Sequence, residues 1–231
     1  MSRKSIAEAM AGHHPSLAGI GQFPYEGGNV AFEIGWPEVE RDTVWAHRLL
    51  AVWGIGRGDF VLFTGRNSES PWFNPIVRAI RAMGSVHSNA EPYAWDARRS
   101  TALLGFLTMK AMIGLPAEHA EVLLADERST GLLRELPVIW ARTEAIGSLR
   151  SAGLQPAEMA LLGPALGVEC PERAGLHIDP AEWEIGATAT GPVLSAVGQR
   201  VHPSRDLALD FAGSVERTPC ACGLPGPRLR H

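Results

Sequence analysis

Three thiols and one imidazole carry the most readable chemistry in this chain. Cys170 lies in VECPERAGLHI, seven residues before His177, and Cys220 and Cys222 form the pair in TPCACG. The Cys-x-Cys pair, held between Pro219 and Gly223, is a tight knuckle able to aim two thiolates at one ion. Four nitrogen and sulfur ligands suit tetrahedral zinc, and a closed four-ligand site is structural because no position is left for water or substrate. The competing reading is three unrelated buried thiols, since cysteine otherwise behaves as a small apolar residue and a cytoplasmic chain seldom keeps disulfides. The spacing is unusual for a zinc finger and does not decide between the two. Lysine chemistry is almost excluded, because Lys4 and Lys110 are the only lysines.

The elements that must position these residues alternate. Residues 37–53 carry apolar positions at helical spacing, with acids early and Gly54 as a stop. The run Phe60 to Phe63, bounded by turns, predicts a buried strand. Helices are predicted over 74–83, from Asp96 through 107 with Asp96 capping the first turn, over 117–135 and over 144–153. Strands are predicted at 85–88, 109–115, 136–141 and 159–163. This alternation is an α/β pattern, a sheet with helices on its faces. From about residue 164 onward Gly, Pro and Thr become frequent and strands short, so the last third is expected to be β-rich. Residues 1–35 show no sustained period. The expected division is therefore an N-terminal arm (1–35), an α/β core (36–163) and a β-rich zinc-binding segment (164–231) packed on that core.

With 231 residues, 45% hydrophobic and 20% charged, the chain can bury a substantial core. No apolar run reaches the roughly 18 to 20 residues of a membrane span, and no signal-peptide pattern precedes a cleavage site, which predicts a cytoplasmic protein with no membrane partner. The net charge of −4, with arginines scattered, argues against nucleic acid as a partner. His13, His14, His119 and His202 have no partner at metal spacing and read as surface residues.

Two segments resemble the phenylacetate-CoA ligase branch of the adenylate-forming enzymes, which activate a carboxylic acid with ATP and pass it to coenzyme A. GPALGVECPERAGLHI (163–178) is similar to that branch's Gly-Pro, Glu-Cys and Gly-x-His-Ile stretch, and RDLALDFAGSVERTPCACGLPGPRL (205–229) to its Arg-x-x-x-x-Asp segment followed by a cysteine knuckle. GIGRGDFVLFTG (54–65), RAMGSV (81–86) and RTEA (142–145) match more weakly. Some members hold zinc with this Cys, His, Cys, Cys set, so the resemblance implies Zn2+ on Cys170, His177, Cys220 and Cys222. It also implies a fold that is a reduced core of the family's large domain.

The resemblance shows departures too. The family cradles a triphosphate in a Ser/Thr/Gly-rich loop with a lysine. At the corresponding place stands FPYEGGNVAFEIGWPE, without serine, threonine or lysine and with Glu26 and Glu33. The family's magnesium-binding glutamate falls on Ala160, with Glu158 two residues away on the same strand face. The chain stops at His231, so the family's mobile C-terminal domain is expected to be absent. Arg205 and Asp210 match the Arg-x-x-x-x-Asp pattern, whose aspartate binds ribose hydroxyls in the family; they are either a nucleotide-site remnant or structural, and the structural reading is preferred.

If adenylation is lost, the family's acyl pocket remains. Its lining loops correspond to FTGRNSESPWFNP and HSNAEPYAW, which offer Arg66, Trp72, Glu91 and Trp95 as substrate-pocket residues and His87, Glu69 and Tyr93 as catalytic candidates. A histidine beside a carboxylate is an acid/base pair near neutral pH. The plain alternative is that His87 is a capped loop residue and the tryptophans are core. The expected function is an ATP-independent enzyme of specialised metabolism acting on an aromatic or polyketide-like acid or thioester. The alternatives are a non-catalytic partner subunit or homodimer, and an ATP-dependent acid:CoA ligase.

Overall fold

Phe23 and Phe32 stand in runs of alternating polarity separated by Glu26-Gly27, and that pattern makes a β-hairpin rather than the irregular arm expected from the sequence. The computed structural model describes residues 16–231; Lys4, His13 and His14 lie outside the described residues. In it β1 (Leu17–Tyr25) and β2 (Gly28–Gly35) pair antiparallel, with Tyr25 opposite Gly28. The two residues between them have positive φ, Glu26 at 48° and Gly27 at 78°, as a tight two-residue hairpin turn requires. Phe23 and Phe32 bury against Trp72, the Phe32 and Trp72 rings lying 4.8 Å apart.

Next come α1 (Trp36–Val52), β3 (Phe60–Thr64), α2 (Ser70–Ala82), β4 (Val86–Ala90), α3 (Ala97–Phe106) and β5 (Met109–Leu115). They are followed by α4 (Ala117–Leu124), α5 (Glu127–Glu135), β6 (Val138–Arg142), α6 (Thr143–Ser151) and β7 (Ala157–Leu162). The helix expected at 74–83 begins at Ser70, because Pro71 falls in the first turn, where a missing N–H costs nothing. The helix expected over 117–135 is two, broken at Asp126, whose carboxylate accepts from Ser129 N–H at 2.8 Å and starts the second. Asp96 does not cap α3; its carboxylate accepts from Glu91 N–H at 2.8 Å instead.

Strands β4-β3-β5-β6-β7 form a parallel run. Successive side chains alternate faces, so Val61 and Phe63 pack with Trp140 and Met159 against α1 and α2, while Leu62, Met112 and Ile139 pack against α3 to α6. Strands buried on both faces read as unbroken apolar runs, which is why Phe60 to Phe63 is legible as a strand but not as to its direction.

The sheet does not end at the expected 163/164 boundary. There β7 turns over Gly163 into β8 (Ala165–Glu169), which pairs with it antiparallel, and β9 (Leu176–His177) continues the sheet. A small separate sheet of β10 (Trp183–Thr188), β11 (Gly191–Ala196) and β12 (Leu207–Ala208) follows. β13 (Ser214–Glu216) and β14 (Arg228–Arg230) then return to complete a nine-stranded mixed sheet in the order β13-β14-β9-β8-β7-β6-β5-β3-β4. Among the described residues no helix is long and apolar enough to cross a membrane.

One charged cluster ties α1 to the C-terminal third. Arg200, 5% exposed, reaches Glu38 at 3.3 Å, Asp42 at 2.8 Å and Glu182 at 2.9 Å, while Arg41 also bonds Glu182 at 2.6 Å. The Arg200 guanidinium lies 4.6 Å over the Trp183 ring.

Candidate functional site

Sheet topology brings the four metal-ligand candidates together. Cys170 follows β8, His177 ends β9, and Cys220 and Cys222 sit in the loop between β13 and β14, which pairs β9. Gly223, at φ 78°, lets the knuckle turn, and its N–H donates to Cys220 C=O at 3.1 Å. Cys170 Sγ lies 3.7 Å from Cys220 Sγ, and Cys222 Sγ lies 3.5 Å from His177 Nε2; all four ligand atoms fall within 4.8 Å of one another. A disulfide would need about 2.05 Å, so the thiols are unbridged. Tetrahedral zinc with bonds of about 2.3 Å to sulfur and about 2.0–2.1 Å to nitrogen has S–S edges near 3.8 Å and S–N edges near 3.5 Å, which the Cys170–Cys220 and Cys222–His177 spacings match. Burial pushes the Cys170 thiol up to about 12 and, with Arg228, brings His177 down to about 4, so the imidazole offers a neutral nitrogen at pH 7. The donor set and spacing fit one metal ion. Cys170 and His177 are fully buried, while Cys220 and Cys222 are half-buried at the surface side of the cluster.

A separate cleft of about 520 Å³ opens at the C-terminal ends of the parallel strands. Arg66 and Glu69 reach it from the loop after β3, Gly114 from β5, Arg142 and Glu144 from the end of β6, Met159 to Leu162 from β7, and Pro24 from the hairpin. Gly114 has φ 93°, and a Cβ there would lie 2.2 Å from Thr64 C=O, so the close approach of β5 to β3 depends on this glycine. Arg142 is 9% exposed, bonds Glu69 at 2.8 Å and lies 4.7 Å over the Phe73 ring. Burial lowers its pKa against the opposing pull of Glu69. Glu69 is held in turn by Arg66 N–H at 2.9 Å.

The far wall of the cleft carries Asp210, Phe211, Ala212 and His231. Glu158, 6% exposed in its side chain, accepts from Thr143 Oγ1–H at 2.7 Å and bonds His231 Nε2 at 2.9 Å. His231 Nδ1 donates to Ala212 C=O at 3.1 Å, and its ring lies 4.3 Å from that of Phe211.

The sequence-predicted pocket residues divide. Arg66 and Glu69 line the cleft. Tyr93 lies under Arg66 at 5.4 Å and stacks on Trp95 at 6.1 Å, with Trp95 70% exposed. Trp72 is a core residue, its Nε1–H donating to Gly163 C=O at 3.1 Å. Glu91 is half-buried in the loop that Asp96 ties down. His87 lies on β4 opposite Val61 and is not among the cleft residues; burial and then Arg81 lower its pKa, so the charge acting on it is a cation and not the carboxylate an acid/base pair requires. Asp210 stands at the cleft wall, but Arg205, exposed, is not among the lining residues. His119 is fully buried rather than a surface residue, bonding Ser100 Oγ at 2.8 Å and Tyr93 C=O at 3.1 Å. His202 is half-buried against the rings of Phe23 and Phe32. Three titratable cleft groups escaped the sequence reading as functional candidates, Arg142, Glu144 and His231. Arg142 had a signal, a lone cation closing the apolar strand Val138–Ala141; His231 had none.

No protein-family model matches the sequence, and no curated protein matches it. The structural likeness is extensive. An open conformation of 2-hydroxyisobutyryl-CoA ligase in complex with 2-HIB-AMP and CoA superposes with a TM-score of 0.72 at 16% identity, over 99% of this chain and 62% of that one. The chain has the fold of the adenylate-forming acyl-CoA ligases. The same ligase fold relates it to the N-terminal subdomain of Klebsiella oxytoca NpsA in complex with 3-hydroxyanthranilyl-AMSN, at a TM-score of 0.59, 12% identity, 92% of this chain and 57% of that one. The anthranilate CoA ligase AuaEII in complex with anthranoyl-AMP matches at a TM-score of 0.54 and 10% identity, over 78% of this chain and 39% of that one. The chain thus spans at most 62% of the length of these three structures.

Proposed function

We propose that the chain binds an aromatic or polyketide-like acid or thioester in the cleft without using ATP, as an enzyme of specialised metabolism, and that Cys170, His177, Cys220 and Cys222 hold a structural zinc ion. The charge of the cleft carries this reading. Its lining sets two arginines, Arg66 and Arg142, against three carboxylates, Glu69, Glu144 and Asp210, and Arg142 is already paired with Glu69. A triphosphate brings about four negative charges and needs cations or a nest of N–H groups to hold it. The tight turn at Glu26-Gly27, next to the cleft residue Pro24, has no loop to supply such a nest. A single carboxylate or thioester carbonyl makes a smaller demand, which the Arg66 guanidinium can meet, and Tyr93 and Trp95 extend an aromatic surface beside it.

Calorimetry tests the reading directly. ATP with magnesium is expected to give no binding at millimolar concentration, while a panel of benzoate-class acids and their thioesters yields at least one ligand whose affinity falls roughly tenfold, about 1.4 kcal/mol, in Arg66→Ala. Micromolar ATP binding would return the chain to the acid:CoA ligase reading.

A further inference from the structure

His231 fills a slot shaped for a flat ring. One face of its imidazole lies on Phe211 at 4.3 Å, with the planes tilted by 36°. Ala212 C=O can only accept a hydrogen bond, so Nδ1 donates to it. Nε2 meets both oxygens of Glu158, at 3.1 and 2.9 Å, and donates to them together with the Nδ1 bond only when the ring is the imidazolium, which carries both protons. Glu158 is a buried carboxylate whose other side-chain partner is the Thr143 hydroxyl, and a buried charge left unpaired is costly. Glu158 lines the cavity next to the cleft rather than the cleft itself, and it receives its donor at the place where His231 stands, a residue that lines both. The residue that now supplies it is only half enclosed, with 50% of its side chain exposed. His231 also forms part of the wall between the cleft and a second cavity of about 410 Å³, which shares Thr143 and His231 with it and is lined further by Arg150, Glu169 and Arg173. Withdrawal of the imidazole would vacate a flat site closed by an aromatic face, a carboxylate and a carbonyl oxygen.

We infer that this slot is a ligand subsite for a planar ring bearing N–H donors at its edge, of the imidazole or aminoaryl class, and that such a ligand displaces His231 from Phe211 and Glu158. The inference rests on the reading of the cleft as a small-molecule site and narrows its ligand: the acid or thioester carries its nitrogen-bearing ring toward Glu158 and its carboxyl end toward Arg66. An uncharged hydrocarbon ring fits the stacking face but leaves both acceptors unmet, so the slot discriminates by hydrogen bonding more than by shape.

Imidazole is the probe, titrated below its own pKa so that it carries an N–H donor for each of the two acceptors. His231→Ala is expected to bind imidazole at millimolar concentration by calorimetry, at least tenfold more tightly than the unaltered chain, whose own ring competes intramolecularly. Adding Glu158→Gln to His231→Ala should weaken imidazole at least fivefold, and toluene-class rings should not bind either variant comparably. Equal imidazole affinity with and without His231, or no binding to His231→Ala, overturns the inference. If His231→Ala does not fold, His231→Gln, which keeps one donor for Glu158 and frees the ring space, is titrated in its place and read by the same outcomes. The two readings fail separately: imidazole binding to the His231 variant without any Arg66-dependent acid sinks the proposed function, and Arg66-dependent acids that bind with His231 in or out sink the subsite.

Discussion

At the scale of single residues, the four-ligand cluster makes its own demand on protons. Cys170 without metal holds its proton up to about 12 because it is buried, and a thiol must lose that proton to bind metal. Metal binding therefore releases protons, and retention weakens as pH falls. His177, already neutral above about 4, contributes little to that dependence near neutrality. Elemental analysis is expected to find one zinc per chain at pH 7.5, and a chelator at pH 6 to strip it faster than at pH 8. Stripping, or the substitution Cys220→Ser, should lower Tm by about 10 °C or more, since several kcal/mol of binding energy is lost and each is worth roughly 2–4 °C in a domain of this size. A chain with no bound metal and an unchanged melting curve would return the thiols to the plain buried reading.

At the scale of elements, α1 is anchored by charges as well as by its apolar face. Asp42 faces Arg200, but its neighbours include Glu38, Glu182 and Asp179, and burial outweighs the arginine and pushes its pKa up to about 7. A carboxyl whose folded pKa is raised adds stability that is fully present below its ordinary value near 4 and is lost as pH rises through about 7. Asp42→Asn should remove that slope. Urea unfolding of both chains from pH 4 to 8 is expected to show the unaltered chain losing stability relative to the variant, by at most about 4 kcal/mol, with the loss complete above pH 7. Parallel curves over that range would mean that the Arg200 pair holds Asp42 ionised throughout. Arg41 and Arg200 make this cluster a clamp between α1 and the residues around Trp183, elements far apart in sequence.

At the scale of the whole molecule, the metal cluster and the parallel run of strands share one core. Cys170 and Leu224 pack in the same cluster as Trp45, Ile76 and Trp140, and Cys220 and Cys222 lean on it. The Trp53 indole Nε1–H reaches across to Glu169 C=O, one residue before Cys170, at 2.9 Å. Chelation is therefore expected to do more than loosen a loop. Amide exchange should accelerate first in β8, β9 and β14, then in the last turn of α1 next to Trp53, and last in β4 and α3 at the opposite edge of the sheet. Uniform acceleration across all strands would instead show that the chain unfolds as one unit when the metal leaves, and no acceleration outside 217–227 would show that the cluster is a local clasp.

How far the sequence reaches depends on the range of the interaction that decides each feature. Apolar period alone marks β3, β5, β6 and β7 and the helices between them, because a buried strand or an amphipathic helix writes its pattern into consecutive residues. The four Cys and His candidates were legible as residue types, but their spacing left metal site and buried thiols open; the sheet pairing is what brings their ligand atoms within 4.8 Å of one another. The break at Asp126 and the hairpin at Glu26-Gly27 are also local, and turn chemistry could have exposed both. Other features are non-local. The buried state of His119 comes from Ser100 and from the loop at Tyr93, and the burial of Arg142 from Glu69 and the Phe73 ring, contacts that leave no mark at either residue. His87 looked chemical because its residue type and loop suggested a pocket, yet the register of β4 on β3 placed it beside Arg81. His231 carried no motif, and only the return of β14 to pair with β9 brings it to Glu158. Sequence by itself determined the alternation of helix and strand in the core, written in neighbouring residues, and named four Cys and His residues as candidate metal ligands. The composition of the cleft was decided by strand order, which joins residues 66, 142, 210 and 231 through hydrogen bonds between strands distant in the chain.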